Sequence, residues 1–392
     1  MFDDTDSNLR LATNLGNWRT APFNRWSFHN AREIVPTANV PSDTHTWTLP
    51  RSPMSFERTH LADRFGATRT LAELFTYAHT DAFIVVHRGV ILDEHYLHGM
   101  LPDDPHILMS VSKSVTAALA GILTSQGLLK PEALLTDYIP ELAGTGFDAA
   151  TLQQLLDMRV GLDFVEDYYV TEGPMIRYRE ATGWNPRSDD TSTAGLQAFL
   201  LSLERDRAHG GAFQYTSPNS DLLGWILERR TGRTLAQLMS DLLWKPMGAE
   251  FDAYITVDGT GGSRAAGGIN VCLRDLARLG LTMLQNGQSN ARQVLPASWV
   301  RDTTRGGDRE AWVAGNFVNL LPDGRYRNKW YQVGDELDAY CAIGIHGQFL
   351  YVAPQSSTVI AHFASHPEPF NEAVEITLLD AFQSLARTLK SG

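Results

Sequence analysis

The chain has 392 residues, a hydrophobic share of 43% and a charged share of 20%, proportions that exclude a disordered or fibrous protein. One hydrophobic core rarely grows past roughly 250–300 residues, so two packed units are expected. A formal net charge of −12, with no run of Lys or Arg, repels polyanions and argues against nucleic acid as a partner.

Only two cysteines occur, Cys272 and Cys341, and their spacing supports neither a disulfide framework nor a cysteine metal site; a reducing cytoplasm suits them. The opening Met1-Phe2-Asp3-Asp4-Thr5-Asp6 lacks the basic start and apolar stretch of a secretory signal. No later run reaches about 18 apolar residues, so no membrane association is expected.

The first 80 residues are the least periodic. Trp18, Trp26 and Trp47 stand there among prolines and polar residues, which reads as an extended arm whose aromatic rings anchor it by packing. From Ala82 two β-branched runs meet at Arg88-Gly89, the signature of a tight hairpin. Ser110 to Gln126 carries apolar residues at Val115, Leu119, Ile122 and Leu123, with Gly127 as a stop, which predicts a helix beginning at Ser110. Residues 131–247 hold further helical patterns, in Leu152–Leu156, Leu196–Leu203, Leu222–Arg230 and Leu235–Leu243. Alternation returns in Tyr254–Val257, Gln348–Val352 and Ser357–Phe363, with helices near Arg274–Leu284 and Val374–Leu389. The expected organisation is a mixed α/β domain of residues 1–108 and 251–392, interrupted by a helical domain of residues 109–250, with a ligand in the cleft between them.

Ser110-Val-Ser-Lys113 fits the S-x-x-K pattern of penicillin-binding proteins and serine β-lactamases. Residues three apart share a helical face, so the Lys113 amine can reach the Ser110 hydroxyl, and a serine is a poor nucleophile until a neighbouring base takes its proton. Ser112 and Ser114 do not keep this spacing to Lys113. Metal readings fail: His87, His95 and His98 have no companions at ligand spacing and no His-Glu-x-x-His occurs. Gly259-Thr-Gly-Gly262 is not followed by Lys-Ser/Thr, so a phosphate loop is not supported. No cofactor is implied.

Around these residues the chain resembles the class C β-lactamase and penicillin-binding superfamily. Phe213-Gln-Tyr215-Thr-Ser-Pro-Asn219 looks like its second motif, and Tyr138–Glu141, Thr151–Met158 with Gly161, and Arg274–Gly280 match it structurally. The resemblance implies a mixed α/β domain with a central antiparallel sheet, and makes Tyr215 the catalytic tyrosine. The family's Asn usually stands two residues after that tyrosine; Ser217 stands there and Asn219 lies two further on. The family's Lys-Thr-Gly is replaced by Gly344-Ile345-His346-Gly347, which argues against a true β-lactamase. The oxyanion hole would be formed by the backbone amides of Ser110 and Ile345, with Gly344 allowing close approach.

A closer resemblance, to the 6-aminohexanoate-dimer hydrolases and their esterase-like relatives, rests on Asn24–Phe28, Glu33–Pro36, Met109–Ser114, Glu166–Tyr168, Phe213–Tyr215 and Gly344–Gln348. It implies that Tyr168 closes over the substrate and hydrogen-bonds the scissile amide, and that Arg179, Trp184, Ala266, Gly344 and His346 are substrate contacts. Arg179 falls where amide-active relatives carry an acidic residue facing the substrate amine, and Ala266 where they carry a polar one; an ammonium would be repelled by Arg179. The expected activity is hydrolysis of aminohexanoate oligomers or related short amides and esters through an acyl-enzyme. A carboxylesterase without amidase activity and a non-catalytic binding module are the alternatives. Oligomeric state, a homodimer included, is left open.

Overall fold

The computed structural model describes residues 4–188 and 195–391. Strands Thr80–His87 and Val90–Tyr96 pair antiparallel about the expected turn. Its two residues, Arg88 and Gly89, have φ of 51° and 80°, the doubly positive pattern whose twist suits a two-residue hairpin. This hairpin forms one edge of a seven-stranded antiparallel sheet. From the other edge the order is Arg325–Arg327, Trp330–Gln332, Tyr340–Gly344, Gln348–Ala353, Thr358–Ala364, then the hairpin.

Both faces of this sheet are covered. Along Thr80–His87, Ala82, Ile84 and Val86 pack with the helix Leu273–Leu284, whereas Phe83 and Val85 pack with the C-terminal helix Glu372–Ser391. Thr358–Ala364 is therefore buried at every residue, the behaviour of a sheet sandwiched between helices, and not half-exposed as its alternation alone suggests.

A second sheet, of four antiparallel strands, runs Thr37–Val40, Ala253–Thr256, Ile269–Val271, His106–Ile107. Its last strand delivers the chain to Ser110. Between Ile107 and Ala253 the described residues form helices and turns with no strand; the longest helices are Val111–Ser125 and Pro218–Thr231.

The N-terminal arm differs from the extended form expected. It carries short helical segments, Asp4–Ala12, Asn24–Ser27 and Ala31–Glu33, because Trp18 and Phe28 are drawn into a buried cluster with Ile107, Met109, Trp184 and Tyr254. The Trp18 indole N–H is satisfied by the Trp184 carbonyl at 3.1 Å. This cluster lies directly beneath the start of the helix Val111–Ser125. No helix among the described residues is long and apolar enough to cross a membrane.

The helix Leu273–Leu284 approaches the sheet at Gly280, where an added Cβ would stand 2.5 Å from Val359 Cγ1 and 2.9 Å from Leu350 Cδ1. Gly280→Ala is expected to cost about 1–3 kcal/mol through overpacking, read as a lower midpoint in urea unfolding. An unchanged midpoint would show that the helix sits on the sheet more loosely than described.

Candidate active site

Ser110 occupies a sharp strand-to-helix turn. Met109 before it has φ of 45°, a left-handed conformation uncommon outside glycine, and the Val111 and Ser112 amides close back on the Leu108 and Met109 carbonyls at 3.1 and 3.0 Å. The turn presents the Ser110 side chain at the helix N-terminus. Lys113, three residues on, donates from Nζ to Ser110 Oγ at 2.7 Å and to the Ala266 carbonyl at 2.8 Å. Its side chain is buried, and burial pushes its pKa down to about 7, Glu166 partly opposing.

Tyr215 completes the group. Its ring faces Lys113 Nζ at 5.0 Å, and its hydroxyl lies near those of Ser110 and Tyr331. Burial, and then the nearby Glu166 carboxylate, raise the phenol well above its ordinary pKa; it stays protonated while Lys113 loses its proton near neutrality.

Gly344 ends the strand Tyr340–Gly344 against this turn: an added Cβ would lie 2.6 Å from the Leu108 carbonyl oxygen and 2.9 Å from Ser110 N. Only glycine permits that approach. It brings Ile345 to the chamber that Ser110 lines, and among the described residues no turn, loop or side-chain acceptor engages the Ser110 or Ile345 N–H.

The chamber holds about 30 Å³ and is walled by Met109, Tyr168, Met175, Trp184, Ala266 and Gly267 together with charged groups. It adjoins an outer cavity of about 390 Å³ that shares Arg19, Tyr168, Arg179 and Ile345 with it. Trp184 is fixed by its N–H to Thr256 Oγ1 at 3.1 Å. Ala266 takes part through its backbone, its carbonyl meeting Lys113 and its N–H meeting Asp221 at 2.8 Å. Arg179 lines both spaces and donates to the Tyr168 carbonyl at 3.0 Å. His346 lines the outer cavity; its Nδ1–H donates to the His366 carbonyl at 2.7 Å, and its ring packs edge-on against Phe28. Burial pushes its pKa down to about 3.

The structure also resolves the departure at Tyr215. Asn219 points away: its Nδ2 meets Met158 Sδ at 3.7 Å and its Oδ1 is buried without a partner. Ser217, in the place of the usual Asn, donates its N–H and hydroxyl to Glu166, the latter at 2.7 Å, and the Tyr168 hydroxyl donates to the same carboxylate at 2.6 Å. Arg19 and Arg264 line the chamber although no motif singled them out, and Glu166 stood in the Glu166–Tyr168 segment without a role of its own. The Glu-x-Tyr spacing of Glu166 and Tyr168 was the available signal for that carboxylate; nothing local marks the two arginines. Arg264 is locked in a buried cluster with Asp221 and the Tyr178 hydroxyl.

A serine hydroxyl held by a buried lysine, on a chamber shared with two backbone amides that no described turn, loop or side-chain acceptor engages, suits acyl transfer, and on this fold it places the chain among the serine hydrolases. A β-lactamase family model matches residues 69–383. The 6-aminohexanoate-dimer hydrolase of Paenarthrobacter ureafaciens is 38% identical over 91% of this chain and 88% of its own. A Bacillus anthracis structure assigned as a 6-aminohexanoate-dimer hydrolase superposes with a TM-score of 0.88 at 29% identity, over 96% of this chain and 97% of that one. A class C β-lactamase shares the fold alone, with a TM-score of 0.58 at 15% identity over 81% and 93% of the two chains. The chain belongs to the β-lactamase family and, within it, to the 6-aminohexanoate-dimer hydrolase group.

The lowered Lys113 pKa sets a pH dependence. The neutral amine that can accept the Ser110 proton exists above about 7, so kcat/KM for an activated ester should climb roughly tenfold per pH unit below that value and level off above it. A flat or falling profile between pH 5 and 7 would contradict the assignment of Lys113 as the acceptor.

Proposed function

We propose that the chain hydrolyses short linear amides of the 6-aminohexanoate-oligomer type, and related esters, through an acyl-enzyme on Ser110. The site lies in a cleft between a mixed domain, residues 1–108 and 251–392, and a helical one, residues 109–250. The observation that carries this reading is the 2.7 Å bond from Lys113 Nζ to Ser110 Oγ at a fully buried lysine.

Neutral Lys113 takes the Ser110 proton as Oγ bonds to the carbonyl carbon. The charge that develops on the carbonyl oxygen is met by the Ser110 and Ile345 amides. The carbon–nitrogen bond breaks as Tyr215 gives its proton to the leaving nitrogen and recovers one from the Lys113 ammonium. Water then attacks the ester carbonyl, passes its proton to the Lys113–Tyr215 pair, and the acid leaves as Ser110 Oγ is reprotonated. A chamber of about 30 Å³ holds on the order of one water, so the segment bearing Tyr168 swings aside to admit a substrate and closes over it, its hydroxyl exchanging Glu166 for the scissile nitrogen. The free, buried cysteines Cys272 and Cys341 support a cytoplasmic setting.

A second reading, an esterase without amidase activity, is favoured by one observation: Arg179 lines the chamber, where an amine-ended dimer would meet like charge.

Ser110→Ala should abolish both turnover of a p-nitrophenyl ester and labelling by a fluorophosphonate. Ser112, whose hydroxyl accepts the Ile269 N–H at 3.1 Å, should leave the label on Ser110 when replaced by alanine. Peptide mass spectrometry identifies the labelled serine; a label elsewhere, or none with turnover intact, would sink the assignment. Tyr168→Phe should lower kcat/KM for amides roughly tenfold, the worth of one hydrogen bond of about 1.4 kcal/mol, and change activated esters little, because a good leaving group needs no proton. Equal losses on both substrates would remove Tyr168 from the leaving-group step.

A further inference from the structure

Three arginines converge on the chamber that holds Ser110: Arg19, Arg179 and Arg264. They are not equivalent. Arg264 is neutralised by buried Asp221 and bonded to the Tyr178 hydroxyl. Arg19 and Arg179 make no ion pair among the described residues. Each has one neutral oxygen contact, Arg19 with Asn185 Oδ1 and Arg179 with the Tyr168 carbonyl, and each leaves a buried Nε without a hydrogen-bond partner. These two also reach from the chamber into the outer cavity.

The neighbouring carboxylates are otherwise engaged. Glu166 takes three hydrogen bonds from Tyr168 and Ser217, and Glu368, exposed at the rim of the outer cavity, accepts from Asn371 Nδ2 at 2.9 Å. Arg19 is fixed in place by the Trp18 and Trp184 rings, each with its centroid 5.5 Å from the guanidinium carbon. Burial, followed by repulsion from Arg179 and Arg264, lowers its pKa to about 9. Two guanidinium groups held together with spare donors, beside a chamber walled by Met109, Met175 and Trp184, are costly in the empty site and favourable once an anion arrives. Their planar forks match a carboxylate, and the positive patch is set in a chain of net charge −12.

We infer that Arg19 and Arg179 form a carboxylate-binding subsite, and that the preferred substrates are short amides or esters bearing a free carboxylate a few bonds from the scissile carbonyl, not an ammonium. This rests on the hydrolase reading above and names its substrate class. The carboxylate can stand on the acyl side or on the leaving group, and two substrate pairs separate these.

On the acyl side, mono-p-nitrophenyl glutarate is compared with p-nitrophenyl valerate; on the leaving side, N-butyryl-6-aminohexanoate is compared with its methyl amide. The wild type should favour the carboxylate member of at least one pair by about tenfold or more in kcat/KM, mostly through KM, and the preference should shrink with added salt. Arg19→Gln and Arg179→Gln should each lower the charged-to-neutral ratio about threefold, the double variant should bring it near one, and the lysine variants should keep part of it. A ratio near one in both wild-type pairs overturns the inference, as does a ratio that survives in the double variant. Absence of turnover or burst with every compound, the neutral ester included, overturns the hydrolase reading itself, a result that a flat ratio does not produce.

Discussion

The site is arranged around a single difficulty, the burial of the Lys113 amine. A lone ammonium removed from water is costly by several kcal/mol, and the fold meets it with three partners: Ser110 Oγ, the Ala266 carbonyl and the face of Tyr215. The second partner is itself held, since the Ala266 N–H is bound by Asp221, which is pinned by Arg264 and Tyr178. One lysine therefore ties together the helix Val111–Ser125, the helix Pro218–Thr231 and the turn before the strand Ile269–Val271. Because these contacts do not fully compensate desolvation, the amine gives up its proton near neutrality, and in the mechanism proposed above that structural burden serves as the base.

Carboxylates divide the remaining work. Asp221 is inward, buried and committed to holding backbone and arginine in register. Glu166 lines the chamber and gathers the Tyr168 hydroxyl with the backbone and side chain of Ser217, so Tyr168 is tied to the segment that carries Tyr215. The Asn usual in this family gives one amide at that place. Here Ser217 stands at that place bonded to Glu166, and Asn219 turns instead toward Met158.

Much of this was legible in the chain, and the rest was hidden for definite reasons. The hairpin could be read because its signal is local: two β-branched runs with Arg88-Gly89 between them. The same holds for the helix after Ser110 and for the Ser110–Lys113 spacing, which a helix converts directly into contact. Arg19 was illegible because the partners that hold it at the chamber, Asn185 and Trp184, lie about 165 residues away in sequence. The N-terminal arm was misread as extended because the burial of Trp18 and Phe28 against Trp184 and Tyr254 overrides a weak local pattern. His346 sits beside the oxyanion turn in sequence, yet its ring is taken by Phe28 and the His366 carbonyl, a tertiary choice that no neighbouring residue announces.

The central sheet is closed by the pairing of Thr80–His87 with Thr358–Ala364, two strands separated by some 270 residues of intervening chain. Loop closure over such a distance must precede the contacts that reward it. During synthesis the early hairpin waits with one edge unpaired and its apolar faces uncovered until the last strands and the C-terminal helix Glu372–Ser391 emerge. The sheet is thus completed only once its most distant strands have met, and loss of the strand Thr358–Ala364 would leave the hairpin with an exposed, aggregation-prone edge.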